Sequence, residues 1–491
     1  VSNTSFSTQV CGFDLATLPE LRGYDAVNVH WTGGMMSPLT LGNVIDLGTP
    51  VIFTLHDMGH FTGGCHYAAG CRAFEASCEP CHQVHPDELG LIPLSLTRKR
   101  ERYAKPNVVA VSPSAWLAGL ADASRVFAAP VRVVQTGLDT EIFCPRDRAA
   151  IRRDLGLRPE DRAILFGVYD RVERRKGFDD LAAALGHCAR DPAVAALAAE
   201  GRIRVLAFGR SPTGLAEIGL PVVDLGWVGD DLRLSEVYGA ADLCVLPSHE
   251  DNQPNVMVEA MACATPVVAY RTGGIPETIK ECRNGRLVEP FDRQALAEAI
   301  TGLVLDPEAA RVLGRAAAES VRPLTLARQA ASYEAILAGL SVSTEWRREE
   351  PPAGHEPRAG HEPRAGAAPR AGEAPEASAG PGGAGAVDGS PGVTVPLRLD
   401  PVLAESPVGP VLAGQVEALA ALVDDLVADR EVIRAELAAV KENRDGLHAQ
   451  LVAENDRSAV RDAELALLKD GLVNRLVLKL RARLMSRPSG P

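Results

Sequence analysis

Pro247-Ser-His-Glu-Asp-Asn-Gln-Pro-Asn-Val-Met-Val-Glu-Ala-Met-Ala-Cys-Ala-Thr-Pro-Val-Val-Ala-Tyr270 is the stretch whose reading decides the fold. The apolar run Leu243-Cys-Val-Leu246 leads into it and reads as a buried strand. A polar loop follows, then a helix with Glu259 near its first turn, then Pro266-Val-Val-Ala-Tyr270 as a second short strand and a Gly273-Gly274 turn. Asp251 and Glu259 stand eight positions apart. A carboxylate at each end of a loop that opens a helix can grip the hydroxyls of a polyol. The loop amides and helix N-terminus between them can hold an anion. A ligand with both sugar hydroxyls and phosphate fits that chemistry. The plainer alternative is an α/β loop with two solvated acids.

Working outward, the same grammar recurs on both sides. Asp25 to His30, Pro50 to His56, Asn107 to Ser112 and Val131 to Val134 are strand candidates in residues 1–150. Arg162 to Gly167, Ile203 to Gly209, Leu243 to Leu246 and Pro266 to Tyr270 are those of residues 151–325. Each is brief and rich in β-branched residues, as parallel strands buried on both faces are. Helical stretches such as Asp179 to His187 and Leu296 to Leu305 separate or follow them. Two successive βα arrays imply two doubly wound, Rossmann-like α/β domains facing a cleft. Ligands are expected at the carboxyl ends of the strands. Residues 326–345 read as a closing helix.

Beyond it the composition changes. Residues 346–410 repeat Ala-Gly-His-Glu-Pro-Arg, then decay into Ala, Gly, Pro and Glu, a disordered linker by composition. Over residues 411–486 apolar residues return at steps of four and three: Leu412, Val416, Leu419, Val423, Leu426, Ile433, Leu437, Val440, Leu447 and Leu451. That pattern predicts a coiled coil and a homo-oligomer. The end is basic and amphipathic, with Arg475, Lys479, Arg481 and Arg483. It reads as the frayed end of the coil or as a peripheral contact with anionic lipid.

The 491 residues are too many for one typical domain, and 46% hydrophobic content supports real cores. A net charge of −13 argues against general nucleic-acid binding. No apolar run reaches membrane-span length, and no signal-peptide pattern is present, so a cytoplasmic location is expected. The chain begins at Val1, consistent with a fragment or an alternative start.

Two further clusters carry chemistry. Arg171 and Lys176 lie in Asp170-Arg-Val-Glu-Arg-Arg-Lys-Gly177, at the mouth of the first strand of the second domain. Two cations beside a glycine there suit a diphosphate, and fixed positive charge on a departing phosphate stabilises its transition state. Arg174 and Arg175 read as solvated neighbours. Cys65, Cys71, Cys78 and Cys81 fall within one loop as C-x5-C-x6-C-x2-C. Four thiolates at such spacing can close a structural zinc site, with His66, His82 and His85 as alternative ligands. An iron–sulfur cluster or free thiols are the other options.

Over residues 10–340 the chain resembles the family 4 retaining glycosyltransferases, of GT-B architecture. The Asp251/Glu259 pair matches their E-x7-E motif, followed by the Ala-Met-Ala run, and Arg171-x4-Lys176-Gly177 matches their Arg-x4-Lys-Gly signature. His56-Asp-Met with Phe61-Thr-Gly-Gly-Cys-His-Tyr67 resembles a bacterial subset that builds exopolysaccharide and other surface glycans.

The resemblance implies roles residue by residue. Arg171 and Lys176 would neutralise the leaving diphosphate, and Glu259 would hold the nucleotide ribose. Asp251, in place of the usual Glu, would contact the donor sugar, with Glu250 as substitute. The backbone from Asn252 through Asn255 would face sugar and phosphate, except at Pro254, which has no N–H. Val228, in Leu225-Gly-Trp-Val-Gly229, would lie beside the base. His56 would reach the donor sugar and the reacting centre, and His30-Trp31 would form part of the acceptor wall. Family members open with a strand and glycine-rich loop that this chain lacks before residue 25, so the first sheet is expected to be one strand short.

The implied activity is retaining transfer of a sugar from a nucleoside diphosphate donor to a glycan or lipid-linked acceptor in surface polysaccharide synthesis, with no metal needed for catalysis. A non-catalytic scaffold with a relic donor site, and a nucleotide-sugar epimerase or hydrolase, are the rival readings.

Overall fold

The computed structural model describes residues 6–7, 9, 11–84, 87, 90–170, 173–210, 218–340 and 397–399. Their strands are β1 (Cys11–Phe13), β2 (Val27–Val29), β3 (Val51–Thr54), β4 (Val108–Ser112), β5 (Arg132–Val133) and β6 (Arg162–Asp170). After these come β7 (Ile203–Arg210), β8 (Val222–Gly226), β9 (Leu243–Leu246), β10 (Val267–Tyr270), β11 (Gly285–Val288) and β12 (Leu397–Leu399).

Two parallel sheets carry the architecture. The first has the order β2-β3-β4-β5 and the second β11-β10-β9-β6-β7-β8. All their pairings are parallel. Every residue of β3, β4, β9 and β10 is buried. That is the consequence of helices covering both faces, and the reason these segments are near-continuous Val, Ile and Leu. This is the doubly wound two-domain arrangement expected from the sequence.

In the second sheet β6 pairs with both β7 and β9, so the winding reverses between β6 and β9. The crevice outside the carboxyl ends of those two strands is the place where such sheets bind ligands. The loop after β6 carries Lys176, and the loop after β9 carries Asp251.

In the first sheet β2 is an edge strand among the described residues. The preceding segment β1 does not join it. It pairs antiparallel with β12, Cys11 opposite Leu399. That pairing corrects the reading of residues 346–410 as wholly without structure. The Pro-Leu-Arg-Leu of residues 396–399 restores the apolar alternation that a strand needs. The rest of that segment, and the coiled-coil and basic stretches of residues 411–486, lie outside the described residues.

The helix Leu326–Gly339 starts at Thr325, whose side chain accepts the Arg328 N–H. It follows the second domain in sequence but packs on the first sheet, with Ile336 against Ile52, Val109 and Val111. Burying one such isoleucine contributes roughly 2 kcal/mol. Two polar contacts fix the helix further: Tyr333 Oη lies 2.9 Å from Thr54 Oγ1, and Gln329 Oε1 accepts the Gly137 N–H at 3.0 Å. Among the described residues no helix is long and apolar enough to cross a membrane.

Candidate active site

The loop after β6 closes as a single 3-10 turn, Arg174–Lys176, ended by Gly177 at φ +72°. A Cβ on Gly177 would lie 1.9 Å from the Pro247 carbonyl oxygen, so only glycine lets this loop approach the loop after β9. The approach brings Lys176 Nζ to 2.8 Å from Asp251 Oδ2. Arg175 Nη1 lies 3.2 Å from the other carboxylate oxygen. Gly273, at φ +57°, backs the same loop. Its Cβ would meet the Asp251 carbonyl oxygen at 1.8 Å, and Gly274 N–H donates to that oxygen at 3.0 Å.

Asp251 is 4% exposed. Burial alone would raise its pKa, but Lys176 and then Arg175 override it and hold the carboxyl at about 2. Its neighbour Glu250 moves the other way, raised by burial despite accepting the Ala69 N–H at 2.8 Å.

Glu259 lies on the helix Asn255–Ala262, one turn beyond the first. Its Oε2 accepts the Tyr238 hydroxyl at 2.7 Å. Burial raises the Glu259 pKa and the Tyr238 hydrogen bond opposes the rise. Val228 and Val256 are half-buried against one hydrophobic cluster, which also contains Tyr238, Met257 and Met261. Asn255, at the start of the Glu259 helix, is exposed.

The first domain supplies the facing wall. His56 follows β3, and its Nε2 lies 2.8 Å from His30 Nδ1, the two rings stacked with centroids 5.1 Å apart. Burial, then His30, lowers the His56 pKa from its ordinary value against the pull of Asp57. Asp57 accepts from His66 at 2.7 Å, and Trp31 Nε1 lies 3.0 Å from the same His66 ring nitrogen. The Trp31 indole is 51% exposed. A cavity of about 280 Å³ opens beside His30 and His56, lined also by Leu326, Gln329 and Tyr333.

The loop after β9 touches the first domain through its side chains. Asn252 accepts from Ser114 Oγ, and its amide nitrogen lies 3.3 Å from the His56 carbonyl oxygen. Gln253 Oε1 accepts the Thr136 N–H at 2.8 Å. Glu277 accepts the N–H groups of Ala115 and Trp116 at 2.8 and 2.7 Å, capping the helix Ala115–Ser124. The Asn252 side chain is thus committed to domain contact, while its backbone N–H donates to Asp251 Oδ1 at 3.2 Å.

The structure brings Lys176, Asp251 and Glu250 together, and binds their loop to the backbone of His56. Arg171 lies outside the described residues. Arg175 corrects the sequence reading. It is not solvated: its side chain is 9% exposed. It also donates to the Glu250 carbonyl at 2.7 Å, pairs with Glu173 at 2.8 Å and sits 3.9 Å over the Tyr67 ring. Nothing in the Glu-Arg-Arg-Lys run distinguishes Arg175 from exposed Arg174, because burial there is set by a loop a hundred residues away in sequence.

The cysteine-rich loop brings Cys65 near Cys78 and Cys81, and Cys78 near Cys71. Among the described residues, no group of three or more His, Cys, Asp or Glu side chains is gathered as a metal would need. Cys65, Cys71, Cys78 and Cys81 are all free thiols. Cys71 and Cys78 accept backbone N–H groups, from Ala73 at 3.4 Å and Gly63 at 3.2 Å. Burial pushes the Cys65 thiol up to about 12. Cationic side chains also hold the loop. Lys99, fully buried, donates to the carbonyls of Gly59 and Thr62 at 2.7 and 2.8 Å. Arg100 donates to the carbonyls of Phe74, Glu75 and Ala76.

With this geometry in hand, the comparisons with known proteins fall on the same elements. Residues 162–306 match the family described as Glycosyl transferases group 1. That stretch runs from β6 through the helix Arg293–Leu305 that follows β11. The D-inositol 3-phosphate glycosyltransferase of Segniliparus rotundus is 35% identical over 198 residues, 38% of this chain and 42% of its own. D-inositol 3-phosphate glycosyltransferase 1 of Catenulispora acidiphila is 31% identical over 309 residues, 58% of this chain and 65% of its own. This chain thus spans about two fifths of the length of the first relative and under two thirds of the second. Among solved structures, sucrose-phosphate synthase from Thermosynechococcus elongatus is 24% identical with a TM-score of 0.49, covering 65% of this chain and 74% of that one.

Proposed function

We propose that the chain is a retaining glycosyltransferase that moves a sugar from a nucleoside diphosphate donor to a glycan or lipid-linked acceptor in surface polysaccharide synthesis. The observation that carries this reading is the Lys176–Asp251 contact at the β6/β9 switch point, inside the stretch that matches group 1 glycosyltransferases. A diphosphate entering there meets a fixed ammonium, and a sugar attached to it meets a carboxylate held ionised at neutral pH.

In this mechanism Lys176, with Arg171 beside it in sequence, takes up the charge that develops on the departing diphosphate. Asp251 and Glu250 orient the sugar, and Glu259 orients the ribose. Asn252 and Asn255 bring backbone and helix N-terminus to the phosphates, and Val228 lines the base. His56 accepts or donates a hydrogen bond to the donor sugar where the acceptor hydroxyl arrives. The protein groups carry the charge, so the mechanism assigns no catalytic role to a metal.

The acceptor named for the relatives, D-inositol 3-phosphate, is a polyol phosphate. It belongs in the acceptor screen beside glycans and lipid-linked sugars. We further propose a cytoplasmic enzyme, oligomeric through residues 412–451, with the basic end at the membrane surface.

Calorimetric titration with UDP, GDP and dTDP tests the reading. Binding that Lys176→Ala removes supports it. A folded protein that binds none of them contradicts it.

A further inference from the structure

We propose that Arg175 is a positioning residue for the donor site, seated on the Tyr67 ring, and that it ties the cysteine-rich loop of the first domain to the carboxylates of the second. The proposal rests on the glycosyltransferase reading for its consequence and on geometry for its existence. Arg175 reaches four partners from one guanidinium: a carboxylate oxygen of Asp251, the Glu250 carbonyl, the Glu173 carboxylate and the face of Tyr67. A lysine has no planar fork to divide among them. Tyr67 is 8% exposed, so the cation over its ring is shielded from water, where such contacts are strongest.

A second contact runs parallel to the first. The Ala69 N–H, two residues beyond Tyr67, donates to Glu250 Oε2 at 2.8 Å. Gln83 anchors the base of the loop by donating to the Tyr67 carbonyl at 2.8 Å. Residues 67–69 therefore grip the donor loop at two successive residues, Glu250 and Asp251, one through a ring and a cation and one through an amide and a carboxylate. Any phosphate that draws Lys176 away from Asp251 leaves Arg175 as that carboxylate's remaining cation. Arg175 keeps Asp251 ionised and aimed while Lys176 works on the diphosphate. The cysteine-rich loop then acts as a wall of the donor site whose position follows that of the donor loop.

The test compares Arg175→Lys, Tyr67→Leu, Tyr67→Phe and Glu250→Gln in the full chain. Tyr67→Phe keeps the ring, Tyr67→Leu keeps bulk without it, and Arg175→Lys keeps charge without the fork. Affinity is read by calorimetry with whichever of UDP, GDP or dTDP the unaltered chain binds best. Hydrogen exchange at the Ala69 amide is read independently of any ligand. We expect Arg175→Lys and Tyr67→Leu each to weaken binding about tenfold and to speed exchange at Ala69. Tyr67→Phe should stay near the unaltered chain in both, and Glu250→Gln should speed exchange at Ala69.

Equal affinity in all four variants overturns the positioning role while leaving the glycosyltransferase reading intact. Tyr67→Phe as damaging as Tyr67→Leu overturns the role of the ring. Ala69 exchange unchanged in Tyr67→Leu and Glu250→Gln overturns the tie between the loops. Failure of the unaltered chain to bind any of the three nucleotides overturns both the parent reading and the consequence drawn here.

Discussion

Lys176 Nζ lies 2.8 Å from Asp251 Oδ2 and joins the loop after β6 to the loop after β9 across the switch point of the second sheet. The two residues are 75 positions apart. Two glycines, Gly177 and Gly273, let the loops meet. The cation that would serve a diphosphate and the acid that would serve a sugar are held in one contact, with Arg175 as the third member.

Removing Lys176 tests the cation directly. Lys176→Ala should lower transfer by about 10²-fold or more, the usual scale for one group that stabilises developing charge. The fold should survive, because Arg175 still faces Asp251. Single-turnover kinetics with circular dichroism as control separates lost chemistry from lost structure.

Asp251 also sets an acid dependence. Its folded pKa of about 2 lies below the ordinary value near 3.9. The stability it contributes is therefore fully present above about pH 4 and is lost as pH falls through 2. Urea unfolding of the unaltered chain and Asp251→Asn should differ most at pH 7, and the gap should narrow between pH 4 and 2. A constant gap across that window would remove the ion pair from the account.

His30 tunes His56. Burial and His30 both lower the His56 pKa. His30→Ala removes one of the two causes, so any acid limb of the pH–rate profile that reports His56 should move to higher pH. A limb that stays in place, or moves down, contradicts the assignment.

Backbone geometry predicts a stability defect at Gly273. An alanine there combines φ of +57° with a Cβ at 1.8 Å from the Asp251 carbonyl oxygen. The expected loss is roughly 2 kcal/mol or more, measured by chemical denaturation. Gly186, where an added Cβ meets nothing within 4 Å, is the matched control.

Lys99 tests what holds the cysteine-rich loop. Lys99→Met keeps most of the buried volume but leaves the Gly59 and Thr62 carbonyls without their donor. The loss should be about 2–3 kcal/mol, and a chelator such as EDTA should leave the unaltered chain's melting temperature unchanged. Destabilisation by the chelator would restore the zinc reading that the sequence spacing suggested.

Much of the fold was legible because parallel strands buried on both faces announce themselves. Val108 to Ser112, Leu243 to Leu246 and Val267 to Tyr270 are continuous apolar runs bounded by turn residues. Strands β8 and β11 were missed. Asp224 and Arg286 interrupt them, and β8 and β11 are the edge strands of the second sheet, where one side is free of neighbours. The pairing of β1 with β12 was also missed, since the two lie almost the whole chain apart.

Lys176 and Asp251 were singled out by motifs that are each local in sequence, and the fold brings the two together at 2.8 Å. Arg175 and Tyr67 were not readable as partners. Their contact exists only once two domains meet, and a run of three basic residues carries no mark of which one turns inward. The four cysteines were readable as neighbours from their spacing, and the fold keeps Cys65 near Cys78 and Cys81, and Cys78 near Cys71.

The most direct test of the central claim is calorimetric titration of UDP, GDP and dTDP into the unaltered chain and into Lys176→Ala. The account predicts saturable binding of at least one nucleotide and its loss in Lys176→Ala. Equal binding by both proteins, or none by a folded unaltered chain, would contradict a donor site built on the Lys176–Asp251 contact.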